Sequence, residues 1–151
     1  MPSVVVPTQF GPLVVTEHNG AITALDWGGT ATGTPTELLK KAATQLTAYD
    51  QGNLQTFDLP LYVKGSPFQQ AVCAAMQAIP FGDTCTYGDI AKQLGAMPQA
   101  VGGACGGNPI PVIIPCHRVM GAKGLTGFSG AGGVETKVAL LKHEGAGGFL
   151  I

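Results

Sequence analysis

The chain has 151 residues, a formal net charge of −1 and only 11% charged residues. This length suits one domain or two small ones, and 45% apolar residues are ample for a folded core. The near-zero charge gives no indication of a nucleic-acid partner, because phosphate neutralisation ordinarily uses many lysines and arginines. The sequence has no run of about 18 apolar residues and no signal-peptide pattern, so we expect a cytoplasmic protein without a membrane span.

The first 60 residues predict a small sheet with one helix. Apolar runs at residues 4–6, 13–15 and 21–25 are typical of short strands, and Asn19-Gly20 suits a two-residue hairpin turn. Thr34 and Glu37 form a capping-box pattern with Pro35 at the first helical position. We expect this helix to end near residues 50–53 and a further strand to follow at residues 56–59.

The second half is predicted to be largely helical. Ser66 and Pro67 have the pattern of an N-cap and a first helical residue, Thr86 and Asp89 form a second capping box, and Pro98 opens a third helix. The last two helices, separated by a short turn with glycine, are typical of a helix-turn-helix. The predicted spans are residues 67–79, 86–95 and 98–106.

Two adjacent glycines, Gly102 and Gly103, interrupt the third of these helices. Glycine costs about 1 kcal/mol relative to alanine inside a helix, so the pair requires a reason. One interpretation is a smooth surface that comes close to a nucleic-acid groove. The other is close packing against a neighbouring helix.

The four cysteines are Cys73, Cys85, Cys105 and Cys116. They show no Cys-x-x-Cys spacing and no paired histidines, so neither a zinc site nor a disulfide framework is predicted. We interpret the first three as small buried hydrophobes. Cys116 differs because His117 follows it directly, and an imidazole beside a thiol is typical of an activated nucleophile.

The motif around this cysteine is Pro115-Cys116-His117-Arg118-Val119, behind an apolar run at residues 110–114 that predicts a short buried strand. A thiol with a pKa of about 8.5 is only a few per cent thiolate near neutrality, so attack on carbon requires a base or a positive field. Arg118 is the only arginine in the chain.

With Asn108-Pro109 before the motif and His143-Glu144-Gly145 after it, the chain resembles the O6-alkylguanine-DNA alkyltransferases, also called methylated-DNA–protein-cysteine methyltransferases. The likeness is close from about residue 66 to residue 145. It implies an α/β fold with two domains. A small ribonuclease-H-like α/β domain would span residues 1–61, and a mostly helical winged-helix/helix-turn-helix domain for DNA binding and catalysis would span residues 62–151.

The resemblance also implies catalytic roles. Cys116 would be the nucleophile and His117 its base through a bridging water, with Glu144 holding the imidazole. Asn108 would brace the turn before the cysteine. Arg118 would tie the site to its surroundings by ion pairing.

The implied partner is double-stranded DNA containing O6-alkylguanine, with the damaged base flipped out of the duplex. No cofactor and no metal is expected, and the protein should be a monomer. Tyr87 would contact the base region, rotate the target phosphate and supply a proton to the departing guanine. Gln99 stands where many family members have an arginine that fills the vacated base stack. Because glutamine has no charge, we expect a lower affinity for DNA. The remaining implied contacts to base or DNA are Val119, Ser129, Gly102, Gly103 and Arg118.

Three classes of function follow. The first is direct-reversal repair, in which Cys116 takes the alkyl group irreversibly from O6 of guanine; whether O4 of thymine also reacts is left open. The second is a non-catalytic protein that flags alkylated DNA for other repair pathways. The third, a Cys-His hydrolase or redox protein, leaves the helix-turn-helix unexplained.

Overall fold

The computed structural model of the chain describes residues 1–121 and 133–146. It divides into two compact units, Met1–Tyr62 and Val63–Ile151, one residue later than the boundary predicted at residue 61. No helix within the described residues is long and apolar enough to cross a bilayer. The first unit consists of β1 (Ser3–Val6), β2 (Leu13–His18), β3 (Ala21–Trp27) and α1 (Glu37–Asp50).

The three strands of the first unit form an antiparallel sheet in the order β1-β2-β3. Asn19 and Gly20 both have positive φ, so the β2–β3 turn is of the type that the Asn-Gly pair predicted. No strand forms at residues 56–59, contrary to the prediction; only Leu61 pairs with β3, through an isolated bridge to Ile22.

Helix α1 starts two residues later than predicted. Its N-cap is Thr36, whose side chain accepts a hydrogen bond from the backbone N–H of Leu39 at 3.1 Å, so Thr34 does not cap the helix. The core of this unit is formed by the apolar stripe of α1 and the inward-facing strand residues. These are Leu39, Ala42, Leu46 and Tyr49 with Val6, Leu13, Val15, Ile22 and Leu25.

The second unit is mostly helical, as predicted. A short parallel pair of strands, β4 and β5, accompanies the helices. Its elements are α2 (Pro67–Gln77), β4 (Cys85–Thr86), α3 (Tyr87–Leu94), α4 (Pro98–Gly106), a 3₁₀ turn (Cys116–Arg118), β5 (Val119–Met120) and α5 (Val134–His143).

Side-chain caps mark the starts of two helices of this unit, whereas α4 and α5 begin without one. The Ser66 hydroxyl accepts from the N–H of Gln69, and Thr86 and Asp89 form the reciprocal capping box expected from their spacing. Gly95 ends α3 in the left-handed conformation, and α4 begins three residues later. Helices α3 and α4 pack on each other as the predicted helix-turn-helix.

Residues 110–114 do not form the predicted strand. They make a tight apolar turn in which the N–H of Ile114 donates to the carbonyl of Ile110 at 2.8 Å. Val112, at the tip, has a φ of 73°, a conformation that a β-branched residue adopts only under strain. An apolar run therefore signalled burial correctly but did not distinguish a strand from a buried turn.

Candidate active site

Asn108 clamps the turn that leads from α4 to the cysteine. Its side-chain amide donates to the carbonyl of Ile114 at 2.9 Å, and its side-chain oxygen accepts from the N–H of Ile110 at 3.0 Å. The Asn108 backbone N–H in turn donates to the carbonyl of Cys105 in α4. One buried side chain thus holds both ends of the turn, which helps to maintain the strained Val112 at its tip.

Cys116 follows this turn directly. Its N–H donates to the carbonyl of Ile114 at 2.8 Å, and Pro115 between them has the φ and ψ of an inverse γ-turn. The chain then winds into one turn of 3₁₀ helix, which carries Cys116, His117 and Arg118. Cys116 is only 6% exposed, so its thiol is held at a fixed place in a largely buried site.

His117 and Glu144 form a buried pair. Nε2 of His117 lies 2.7 Å from Oε2 of Glu144, and both side chains are fully inaccessible to solvent. An ionised carboxylate only accepts hydrogen bonds, so Nε2 must carry the proton of this contact. In the neutral imidazole Nδ1 is then the basic nitrogen, which is the state a general base for the adjacent thiol requires.

Burial determines the protonation preference of His117. It lowers the pKa of the imidazole, and the positive charges of Arg118 and Lys137 lower it further. The hydrogen bond to Glu144 and its negative charge act in the opposite direction. The net direction favours a neutral His117.

Glu144 owes its place to the end of α5. It is the C-cap residue, and Gly145 follows with a φ of 65°. The N–H of Gly145 donates to the carbonyl of Lys142, and that of Ala146 donates to Leu141, the two bonds of a Schellman motif. The glycine of His143-Glu144-Gly145 therefore ends the helix where the carboxylate meets His117.

Arg118 binds the same carboxylate. Its Nε donates to Oε1 of Glu144 at 2.8 Å and its Nη2 to Oε2 at 3.0 Å, a two-pronged pairing. Nη1 donates to the carbonyl of Ile79 at 2.7 Å, just beyond α2. The lone arginine of the chain thus joins Glu144 to the end of α2, in keeping with the ion-pairing role implied for it.

Lys137 is a further buried residue of this site that the sequence motif did not predict. It is fully buried, and its Nζ donates to the carbonyl of Val119 at 2.6 Å. Burial lowers the pKa of this amine. The signal was present in the spacing, because Lys137, Leu140, Leu141 and Glu144 recur at positions i, i+3, i+4 and i+7 and so share one face of α5.

The other three cysteines are poorly suited to attack. Burial raises the pKa of the Cys105 thiol to about 12, and neighbouring thiols add to the effect. Burial and the Asp89 carboxylate raise the pKa of Cys85 to about 11. Burial also raises the pKa of Cys73. The side-chain amide of Gln69, whose nitrogen lies 3.5 Å from the Cys73 sulfur, lowers this pKa by a smaller amount. These thiols remain protonated near neutral pH.

Of the residues implied to contact base or DNA, Tyr87 and Gln99 lie well before Cys116 in sequence, whereas Val119 directly follows Arg118. Tyr87 is the first residue of α3 and half-buried, while Gln99 is the second residue of α4 and exposed. Val119 follows the 3₁₀ turn, and its carbonyl accepts from Lys137. Ser129 lies outside the described residues.

The outward face of α4 is almost bare of side chains. Gln99, Gly102, Gly103 and Gly106 recur at helical spacing, opposite the buried Val101, Ala104 and Cys105. Apart from its chain neighbours and the nearby backbone of α4 itself, a Cβ built at any of these three glycines would meet no atom of the described residues within 4 Å. Packing between described helices therefore does not explain the glycines, which counts against the second of their two interpretations.

Comparison with known proteins accounts for both units. Residues 67–146 match the family described as "6-O-methylguanine DNA methyltransferase, DNA binding domain", and residues 4–63 match its "ribonuclease-like domain". The constitutive methylated-DNA–protein-cysteine methyltransferase of Bacillus subtilis is 40% identical over 151 residues, covering 91% of each chain. The chain belongs to the 6-O-methylguanine DNA methyltransferase family. The resemblance inferred from the cysteine motif is thereby confirmed.

Solved structures of the family agree with the two-domain fold. The O6-methylguanine methyltransferase of Mycobacterium tuberculosis has a TM-score of 0.84 at 40% identity, covering 95% of this chain and 92% of that one. A structure of M. tuberculosis OGT in complex with DNA has a TM-score of 0.82 at 41% identity, with coverages of 93% and 91%. The prediction of a ribonuclease-like domain followed by a DNA-binding domain is confirmed.

Proposed function

We propose that this chain repairs alkylated DNA by direct reversal, taking the alkyl group from O6 of guanine in double-stranded DNA onto Cys116. The observation that carries the proposal is the buried His117–Glu144 contact of 2.7 Å, next in sequence to a cysteine on a rigid turn. Names of similar proteins agree with the reaction.

The reaction balances without a cofactor. His117 takes the thiol proton of Cys116, and the sulfur attacks the alkyl carbon. A sulfur–carbon bond forms as the carbon–O6 bond breaks, and its electron pair leaves with guanine. The guanine departs as a stabilised anion or takes a proton, for which Tyr87 is the candidate donor. The thioether product does not hydrolyse, so each molecule reacts once.

The bare face of α4 supports recognition of duplex DNA. Without side chains, its backbone can approach a groove closely, which partly compensates for the low positive charge. The similar M. tuberculosis protein was solved with DNA bound. We expect this chain to act as a monomer, and a cytoplasmic location suits a working thiol.

Incubation with O6-benzylguanine followed by intact-mass measurement tests the proposal. One benzyl adduct per chain is expected. A protein that binds an O6-methylguanine duplex but gains no adduct would instead be the non-catalytic flagging protein. Retention of Cys116, His117, Asn108 and Glu144 together argues against that second function.

Two substitutions at Gly103 separate folding from DNA binding. Gly103→Ala should raise the free energy of unfolding by about 1 kcal/mol, because no described neighbour opposes a Cβ in this helix. Gly103→Leu should slow repair of an O6-methylguanine duplex by about tenfold or more, if a bulky group here blocks the groove at a cost of roughly 1–3 kcal/mol. The rate with O6-benzylguanine base should be unchanged in both. Equal slowing with base and duplex would contradict a DNA-facing role for this surface.

Gln99→Arg should strengthen duplex recognition. An added cation at this exposed position can contact phosphate or fill the vacated stack, and flipping costs a few kcal/mol. We expect tighter duplex binding, a salt slope steeper by roughly 1, and faster duplex repair, with little change toward the base. Gln70→Arg, an exposed glutamine in α2, serves as the matched control. Equal duplex rates for wild type and Gln99→Arg at one salt concentration would show that another group does the inserting.

A further inference from the structure

One buried carboxylate serves two nitrogen groups in this site. Oε2 of Glu144 lies 2.7 Å from Nε2 of His117 and also accepts from Nη2 of Arg118 at 3.0 Å, while Oε1 accepts from Nε of Arg118. The His117 and Glu144 side chains are fully buried, and Arg118 is 7% exposed. Bulk solvent therefore does little to screen these charges.

Among His117, Arg118 and Glu144, the charges balance only when His117 is neutral. The guanidinium of Arg118 is always protonated and already matches the single negative charge of Glu144. A proton on His117 would add a second positive charge to a buried pair, which costs desolvation energy, and the carboxylate that His117 contacts is already paired with Arg118. Lys137 on α5 adds a further positive charge, and Cys116 is the neighbouring thiol.

We propose that Arg118 is a positioning residue that keeps Glu144 ionised and hydrogen-bonded to the guanidinium, so that His117 remains a neutral base. The inference rests on the proposed function and adds to it the group that controls the protonation of His117. Without the guanidinium, the carboxylate would be left to stabilise an imidazolium. His117 would then hold its proton to higher pH, and alkyl transfer would require more alkaline conditions.

The contacts of Arg118 allow the effect of its charge to be tested separately from the effect of its shape. Two of its nitrogens pair with Glu144, a third binds the carbonyl of Ile79, and the guanidinium lies 5.8 Å from the centre of the Phe81 ring. A lysine would keep the charge but not this fork and third bond. Comparing Arg118→Lys with uncharged variants therefore distinguishes electrostatic control from mere support.

The experiment measures the single-turnover rate with O6-benzylguanine base against pH for wild type, Arg118→Lys, Arg118→Met and Arg118→Gln. A general base must be neutral, so the rate falls as pH drops through the pKa of His117. We expect the midpoint of this fall to move up by about one pH unit in the two uncharged variants. In Arg118→Lys it should stay near the wild-type value, although the rate at every pH is lower. Arg118→Gln, which can still donate to Glu144, is the substitute if Arg118→Met does not fold.

An NMR titration of the His117 ring in the same proteins gives a second readout that needs no reaction. A higher titration midpoint in the uncharged variants than in wild type and Arg118→Lys supports the proposal. Identical midpoints in all four proteins, with only the rates reduced, would overturn it and leave Arg118 a structural residue. A wild-type protein that gains no benzyl group at any pH would refute the proposed function instead, and the titration would still decide the role of Arg118.

Discussion

Cys116→Ala should abolish alkyl transfer and leave the protein folded. The substitution removes one sulfur from a site that is 6% exposed, which should cost less than about 2 kcal/mol of unfolding free energy. No other described group is both next to His117 in sequence and able to act as a nucleophile. Intact mass after incubation with O6-benzylguanine measures the loss, and thermal unfolding checks the fold.

Cys105→Ala is the matched control, since it removes a thiol that is similarly buried. Because the pKa of Cys105 is raised to about 12, that thiol supplies almost no thiolate, and the variant should gain a benzyl adduct like the wild type. Peptide mapping of the wild type should place the adduct on Cys116. An adduct on Cys85 or Cys105 would refute the assignment of the nucleophile.

His117 and Glu144 should act as one unit. Either His117→Gln or Glu144→Gln alone should slow alkyl transfer by roughly 10²–10⁴-fold, the usual contribution of a positioned acid–base group. Because the carboxylate works through the imidazole at 2.7 Å, the double variant should be little slower than the more impaired single variant. Single-turnover rates with O6-benzylguanine measure all three.

Folding must be checked alongside these rates. Glu144→Gln also leaves the guanidinium of Arg118 buried without its counter-charge, which typically costs 3–5 kcal/mol, so about that much loss of unfolding free energy is expected. His117→Gln leaves the Arg118–Glu144 pair intact and should be milder. A double variant whose loss in rate equals the product of the two single losses would show that the residues act independently.

The parts of the fold that the sequence predicted best depend on neighbouring residues. Ser66 and Thr86 cap helices through bonds that reach only three residues along the chain. The Asn19-Gly20 turn is equally local. One local prediction was nevertheless wrong: Thr34 was predicted to cap α1, but the N-cap is Thr36, whose hydroxyl accepts the hydrogen bond from Leu39.

The sequence motif predicted candidate site residues such as His117 and Glu144. It did not predict features that depend on tertiary packing. The helical spacing places Lys137 on the apolar face of α5, but it does not indicate the partner of the amine, because the bond to the carbonyl of Val119 spans 18 positions. Residues 110–114 form a turn rather than the predicted strand because Asn108, which lies outside the apolar run, bonds to both ends of it. Periodicity carries no information about such a clamp.

The raised pKa values of Cys73, Cys85 and Cys105 have a consequence for the supply of nucleophile. Since burial raises the pKa values of Cys73, Cys85 and Cys105, a chain with four cysteines offers a single equivalent of the proposed nucleophile, Cys116. If Cys116 is consumed in one event, the protein behaves as a stoichiometric reagent. A cell's capacity against alkylation damage is then set by how many copies it holds, and resupply depends on synthesis of new chains.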